Sequence, residues 1–183
     1  MKWTIIALVF CMMLSSCREN VDLRQLENYK GPYRITTGME VYRSDSAVVT
    51  VKVIAEKQLV FENGDSEFPE GIMIYFYEKD GSLSSTIRAD HGYQDAKDNI
   101  YRGEGDVRVH NIKKGTKLNS EELFWDERKE IIFTEKFVTV EQDDGNIVNA
   151  NGMRSDEALN DITFYEVVDT YVILDENNPE GEQ

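Results

Sequence analysis

The chain has 183 residues, 40% hydrophobic and 10% aromatic, with 35 acidic against 20 basic side chains and a net charge of −15. One domain with a real core is expected at this length and composition, and global disorder is excluded. So negative a chain is unsuited to a phosphate backbone, which is bound by clustered Lys and Arg, so nucleic acid is excluded as a partner.

The N-terminus sets the compartment. Lys2 precedes an apolar run over residues 3–13, the length of a signal-peptide core and too short to span a bilayer comfortably. Leu14-Ser15-Ser16-Cys17 follows, and this resembles the lipobox of bacterial lipoproteins. The resemblance implies cleavage before Cys17 and acylation of that residue, with more than one chain needed for stable anchoring. The competing reading is a short membrane anchor with an incidental cysteine. Residues 1–16 hold one Lys and no acid, so the remainder has 35 acids against 19 bases, near −16. Cys11 leaves with the signal peptide and Cys17 carries lipid, so the mature domain has no thiol for a disulfide, a nucleophile or a Cys-ligated metal. Residues 17–34, with Asp22-Leu23-Arg24-Gln25-Leu26-Glu27 and then Gly31-Pro32, read as a tether.

From residue 35 to about 170 the dominant period is two. Val49, Val51 and Val53 alternate with Thr50 and Lys52, and Ile72, Ile74 and Phe76 with Met73, Tyr75 and Tyr77. Val107 and Val109 flank Arg108, while Phe137 and Thr139 interleave with Val138 and Val140. Turn signals at Asn63-Gly64, Asp80-Gly81, Asp98-Asn99, Lys114-Gly115, Glu127-Arg128-Lys129 and Asp144-Gly145 fall 13 to 18 residues apart. No stretch carries a sustained 3.6-residue stripe. The fold class is therefore all-β, a repetitive antiparallel sheet, followed by an acidic tail over residues 171–183.

Catalytic material is scarce. His91 and His110 stand alone, without HxH, HExxH or Cys/His spacing, so no metal and no cofactor is expected. Ser44-Asp45-Ser46 and Ser84-Ser85 lack the glycine frame of a nucleophile elbow. Glu121-Glu122 and Asp143-Asp144 are chance pairs in a chain with 35 acids. The stretch over residues 95–99 lacks the central Gly and terminal Glu of a calcium loop. Gly103-Glu104-Gly105 reads as a bend between strands, since no helix follows. The chain is not expected to be an enzyme. The strand aromatics, Phe68, Tyr75, Phe76, Tyr101, Trp125 and Phe133 among them, form either an ordinary core or an apolar channel for acyl chains.

The order of segments carries a resemblance. Met39-Glu40-Val41-Tyr42, Val53-Ile54-Ala55-Glu56, Phe68-Pro69-Glu70-Gly71-Ile72 and Phe76-Tyr77-Glu78-Lys79-Asp80-Gly81 are followed by Ile87-Arg88-Ala89-Asp90. Then come Gly105-Asp106-Val107, Val109-His110-Asn111, Leu118-Asn119-Ser120-Glu121-Glu122-Leu123, Trp125-Asp126, Ile132-Phe133-Thr134 and Phe137-Val138-Thr139-Val140. Over about residues 37–167 the chain resembles the LptC family of lipopolysaccharide export. Two features depart from that pattern: a lipobox replaces the uncleaved transmembrane helix of many members, and Ala150-Asn151-Gly152-Met153 lacks the first glycine of a G-x-G piece. The resemblance implies a twisted, open antiparallel β-jelly roll. Its partners would be lipopolysaccharide, an inner-membrane ABC transporter that delivers it and an LptA-like periplasmic bridge protein that receives it.

A groove for acyl chains would be lined by one face of the alternating runs. The expected lining is Val51, Val53, Phe68, Ile72, Ile74, Phe76, Val107, Val109, Phe133 and Val138. A one-residue slip in register would exchange inside for outside. With the tether at the N-terminus, the strand with Thr37, Val41 and Tyr42 should face the membrane and the transporter. Ile147, Gly152, Met153, Ile162 and Phe164 should mark the bridge-protein edge, open to strand addition. A closed β-sandwich serving as a lipoprotein binding or assembly module is the alternative, and a hydrolase with an unrecognised site is a third reading.

Overall fold

A computed structural model describes residues 29–173, and the expected signal peptide, Cys17, most of the expected tether and most of the acidic tail lie outside them. The chain divides into two compact units, residues 1–31 and 32–183. The second is built from β1 (Arg34–Asp45), β2 (Val48–Val60), β3 (Ser66–Phe68), β4 (Ile72–Tyr77), β5 (Leu83–Ala89) and β6 (His91–Asp95). It continues with β7 (Ile100–Asn111), β8 (Lys117–Asp126), β9 (Ile131–Glu141), β10 (Ile147–Asp156) and β11 (Thr163–Tyr171). All pairings are antiparallel and belong to one 11-stranded sheet. The expected jelly-roll-like all-β fold is what forms.

Each expected turn joins two strands. Side chains reinforce several of them: Asp80 accepts the Ser82 N–H at 2.9 Å, and Asp144 accepts the Asn146 N–H at 3.0 Å. Two connections lie outside the expected turns. Ser46 and Ala47 adopt positive φ (50° and 67°) to turn β1 into β2, and residues 157–162 join β10 to β11.

One sheet encloses a core because its long strands bend. The C-terminal part of β7 pairs with β5 (Arg88 with Arg108 through Ser85 with Asn111), whereas its N-terminal part pairs with β6. Likewise β2 pairs with β4 through Val51–Ile54 and with β3 through Leu59 and Val60. Thus β3 and β4 are two halves of one path, bent at Pro69–Gly71, and β5 and β6 are two halves bent at Asp90. Register shifts at Glu104/Val107, Ser120/Phe124 and Asn151/Met153 carry the bend across β7, β8 and β10. Such irregularities bend strands and increase their twist. At Gly152 (φ +80°) a Cβ would lie 2.7 Å from Tyr165 and 3.2 Å from the Thr134 carbonyl, so only glycine fits.

The bend turns the sheet's apolar face onto itself in two layers. The first holds β4, β5 and the mouth-side ends of β2 and β7; the second holds β3, β6 and the other halves. Alternation places the core between them: Ile72, Ile74 and Phe76 are buried while Met73, Tyr75 and Tyr77 are half-exposed. A polar hinge sits on the outside of the bend. The Asp90 N–H donates to the Gly105 carbonyl at 2.9 Å, Arg88 donates to Asp90 and Asp106 at 2.5 and 2.6 Å, and Arg108 donates to Asp106 at 2.8 Å. These charges are too exposed to add much stability, and the angle is set by the register shifts beneath them.

Candidate functional site

The interior face runs the width of the sheet, from Met39 on β1 to Met153 on β10, with Phe164 of β11 packed against its end. Of the ten residues expected on one face, nine meet there: Val51, Val53, Phe68, Ile72, Ile74, Phe76, Val107, Val109 and Val138 are all 5% exposed or less. Phe133 does not. Ile132 and Thr134 on either side of it are fully buried, so Phe133 faces outward and stacks on Phe124 with ring centroids 5.2 Å apart. Residues 132, 134, 138 and 140 share one parity, and that parity, rather than ring size, decides which face is inside. Sequence reasoning missed Ile132 for this reason, although Val138 already carried the correct parity.

The edge residues divide differently. Thr37, Val41 and Tyr42 are exposed on β1, whose pairing among the described residues is to β2 alone. Ile147, Gly152 and Met153 lie on β10, which is paired on both sides, to β9 and β11. Ile147 and Met153 are paired on both sides, Gly152 falls in the register shift between Asn151 and Met153, and Met153 is 0% exposed. The free edge at this end is β11, preceded by Ile162 and carrying Phe164 on its inner face opposite Met153. Val167, opposite buried Ala150, leaves part of that inner face uncovered.

Between the layers there is little empty space. A cavity of about 10 Å³, lined by Ile72, Ile74, Ile87, Leu123, Tyr101 and Trp125 among others, has room for one water at most. Aromatic rings tie the layers together across the mouth opposite the bend. Phe76 meets Trp125 edge-on at 5.2 Å, and Trp125 stacks on Tyr101 at 4.9 Å, which in turn faces Phe68 at 6.4 Å. A shallow groove of about 220 Å³ lies at the bend, where Glu56, Glu70, Asp90 and Arg88 rim Ile54 and Gly71.

Polar groups cluster at the mouth. Arg43 of β1 donates to Glu127 at 3.0 Å, beyond the end of β8, and its guanidinium lies 6.0 Å from the Trp125 ring centroid. The Trp125 indole N–H donates to Glu157 at 2.5 Å. Burial pushes the Glu157 carboxyl up to about 7, with the charges of Glu130 and Glu127 adding to the rise; the Trp125 bond and Arg43 oppose it. Burial also pushes the Tyr101 phenol well up. His91 is exposed at the bend with its Nδ1 3.0 Å from the Pro69 carbonyl oxygen. No group of three or more His, Cys, Asp or Glu able to hold a metal occurs among the described residues.

The dominant feature of the site is an apolar face between two layers, ending at two strand edges that are unpaired among the described residues. Comparison with known proteins supplies the system: the family described as lipopolysaccharide-assembly, LptC-related, matches residues 4–173. The chain belongs to the LptC family. No curated protein matches it. The LptC family is a non-catalytic component of lipopolysaccharide transport, periplasmic and associated with the cell envelope. No helix among the described residues of this LptC-family chain is long and apolar enough to cross a membrane.

Glu157 gives a prediction whose sign follows from linkage. Its folded value of about 7 lies above the ordinary 4.5, so between these pH values the folded chain holds a proton that the unfolded chain has lost. Stability from this group therefore falls as pH rises through that window. Glu157→Gln should leave thermal stability nearly unchanged near pH 4.5 and raise it at about pH 8. After allowance for the solvent-exposed part of the group, the gain is on the order of 1 kcal/mol, or roughly 2–4 °C in Tm. Equal gains at both pH values would show that the carboxyl titrates normally.

Proposed function

We propose that this chain accepts lipopolysaccharide from an inner-membrane ABC transporter on its β1 side and passes it to an LptA-like bridge protein at its β11 edge. The observation that carries this reading is the apolar face from Met39 to Phe164 between two strand edges that are unpaired among the described residues. A lipid with several acyl chains cannot cross water exposed, since each methylene is worth about 0.8 kcal/mol. Strand addition at β11 would continue the same face into a like-folded neighbour. The acidic exterior keeps the domain soluble and repels stray anionic headgroups. The lipid anchor belongs to this reading as well: Cys17, acylated after cleavage, would hold the domain at the inner membrane with β1 nearest the bilayer.

One observation favours a second reading. The interior is nearly full, as it would be in a closed sandwich that serves only as a binding or assembly module. Photo-crosslinking separates the two. A crosslinking residue at Ile74, which faces the interior, should capture lipopolysaccharide well above one at Tyr75, which faces out. Equal or reversed capture would sink the lipid reading and leave the closed module.

The anchor has its own check. Cys17→Ala should leave the precursor uncut by the lipoprotein peptidase and without acyl chains. Normal processing and membrane retention of that variant would remove lipidation from the account.

A further inference from the structure

The loop joining β10 to β11, residues 157–162, does not stay on the layer that carries it. It leaves the second layer at Asp156 and reaches across the mouth to the first. There the Ser85 hydroxyl donates to the Glu157 carbonyl at 2.7 Å, and the Asn111 side-chain amide donates to the Ala158 carbonyl. On its own layer it is held by the Trp125 indole. Leu159, 2% exposed, joins the hydrophobic core from this loop.

The loop is held against its own backbone preference. Leu159 has φ of +56°, in the left-handed region that branched side chains avoid. Asp156 fixes the bend by accepting the Leu159 N–H through its carbonyl at 3.1 Å and the Asn160 N–H through its carboxylate at 2.6 Å. Three bonds to the two layers and one buried leucine thus keep a strained segment in place. The same mouth is where the Phe76–Trp125 contact and the Arg43–Glu127 pair cross from layer to layer.

We propose that residues 157–162 form a strap that closes the mouth through Leu159 and must swing away before an acyl chain can lie between the layers. This rests on the lipid-carrying reading above. The cavity lined by Ile72, Ile74, Tyr101 and Trp125 holds only about 10 Å³, too little for an acyl chain, so lipid entering there has to displace something, and the strap is what crosses the mouth beside it. Of the structures that cross the mouth, the strap is the one with a hydrophobic plug and backbone strain to release. Arg43, Glu127 and Glu130 are the charged groups near Glu157. Their field acts on the strap's anchor and not on Leu159 itself.

The test locks the strap. In the full chain, N111C with A158C places a cysteine pair where the Asn111 side chain already meets the Ala158 carbonyl. With a photo-crosslinking residue at Ile74 and purified lipopolysaccharide as the probe, capture should fall about tenfold or more when the 111–158 disulfide is formed and verified by peptide mapping. Reduction of the same sample should restore it, which excludes misfolding as the cause. Deuterium exchange on the unaltered chain gives a second readout that needs no disulfide. Lipopolysaccharide should speed exchange at the Leu159 and Asn160 amides. Undiminished capture in the locked form, or slower exchange at these amides with lipid bound, would overturn the strap while leaving the lipid reading intact. Absence of capture at Ile74 in every form would overturn the lipid reading, and the strap with it.

Discussion

The structure depends on one geometric constraint: each long strand must bend once, and the bends must fall in register across the sheet. A twisted antiparallel sheet with one apolar face has to cover that face, and here the cover is the other half of the same sheet. The row running through Asp90, Gly105, the Ser120/Phe124 shift and Gly152 supplies the corner. Gly103 shows how close the layers come near it, since a Cβ there would lie 2.9 Å from that of Ala89. Charges line the convex side of the corner, and the packing of Ile72, Val107, Leu123 and Met153 on the concave side supplies the driving force.

Much of this was legible in the sequence, and the parts that were not fail for definable reasons. Turns were readable wherever glycine or Asn/Asp supplied the backbone geometry. Ser46-Ala47 was not, because a two-residue turn with positive φ at both positions is normally announced by Asn-Gly or Asp-Gly, and Ser and Ala hold those positions here. The interior face was readable where one parity was apolar and the other polar, as in β2 and the Val107–Val109 run. In Ile131-Ile132-Phe133 both parities are apolar, and the larger residue drew the assignment to the wrong side. Met153 was expected toward the far edge, with the Ile162 strand, because the tether marks the near side; of the two strands, β11 is the outer one and pairs over Met153. Leu159 had no signal at all. The loop that carries it is held by distant partners, Ser85 on the Glu157 carbonyl and Asn111 on the Ala158 carbonyl, and local sequence does not encode them.

The filled interior changes how transport should be pictured. A preformed channel would need wide, unsatisfied apolar walls, which a free-standing domain in water would close by collapse. Here the two layers satisfy one another, so on the proposed reading lipid and opposing layer would compete for the same surface. Hydrocarbon would replace protein contacts with contacts of similar kind, which suits a carrier that must both load and release. On the proposed reading, the polar contacts at the mouth, Arg43–Glu127 and Trp125–Glu157, are the ones that would have to yield as the layers part. Edge strands β1 and β11, exposed on their inner faces at Val41 and Val167, are where the sheltered face can continue into neighbouring proteins.

The claim on which all of this turns is that lipid parts the two layers at the mouth. It is tested most directly by a distance measurement between spin labels at Asp98 and Lys114, exposed positions in the turns flanking the two ends of the folded strand β7. The account predicts a distribution that shifts to longer distance on addition of lipopolysaccharide and returns when the lipid is removed. A distribution unchanged at saturating lipopolysaccharide, with bound lipid verified in the same sample, would contradict it.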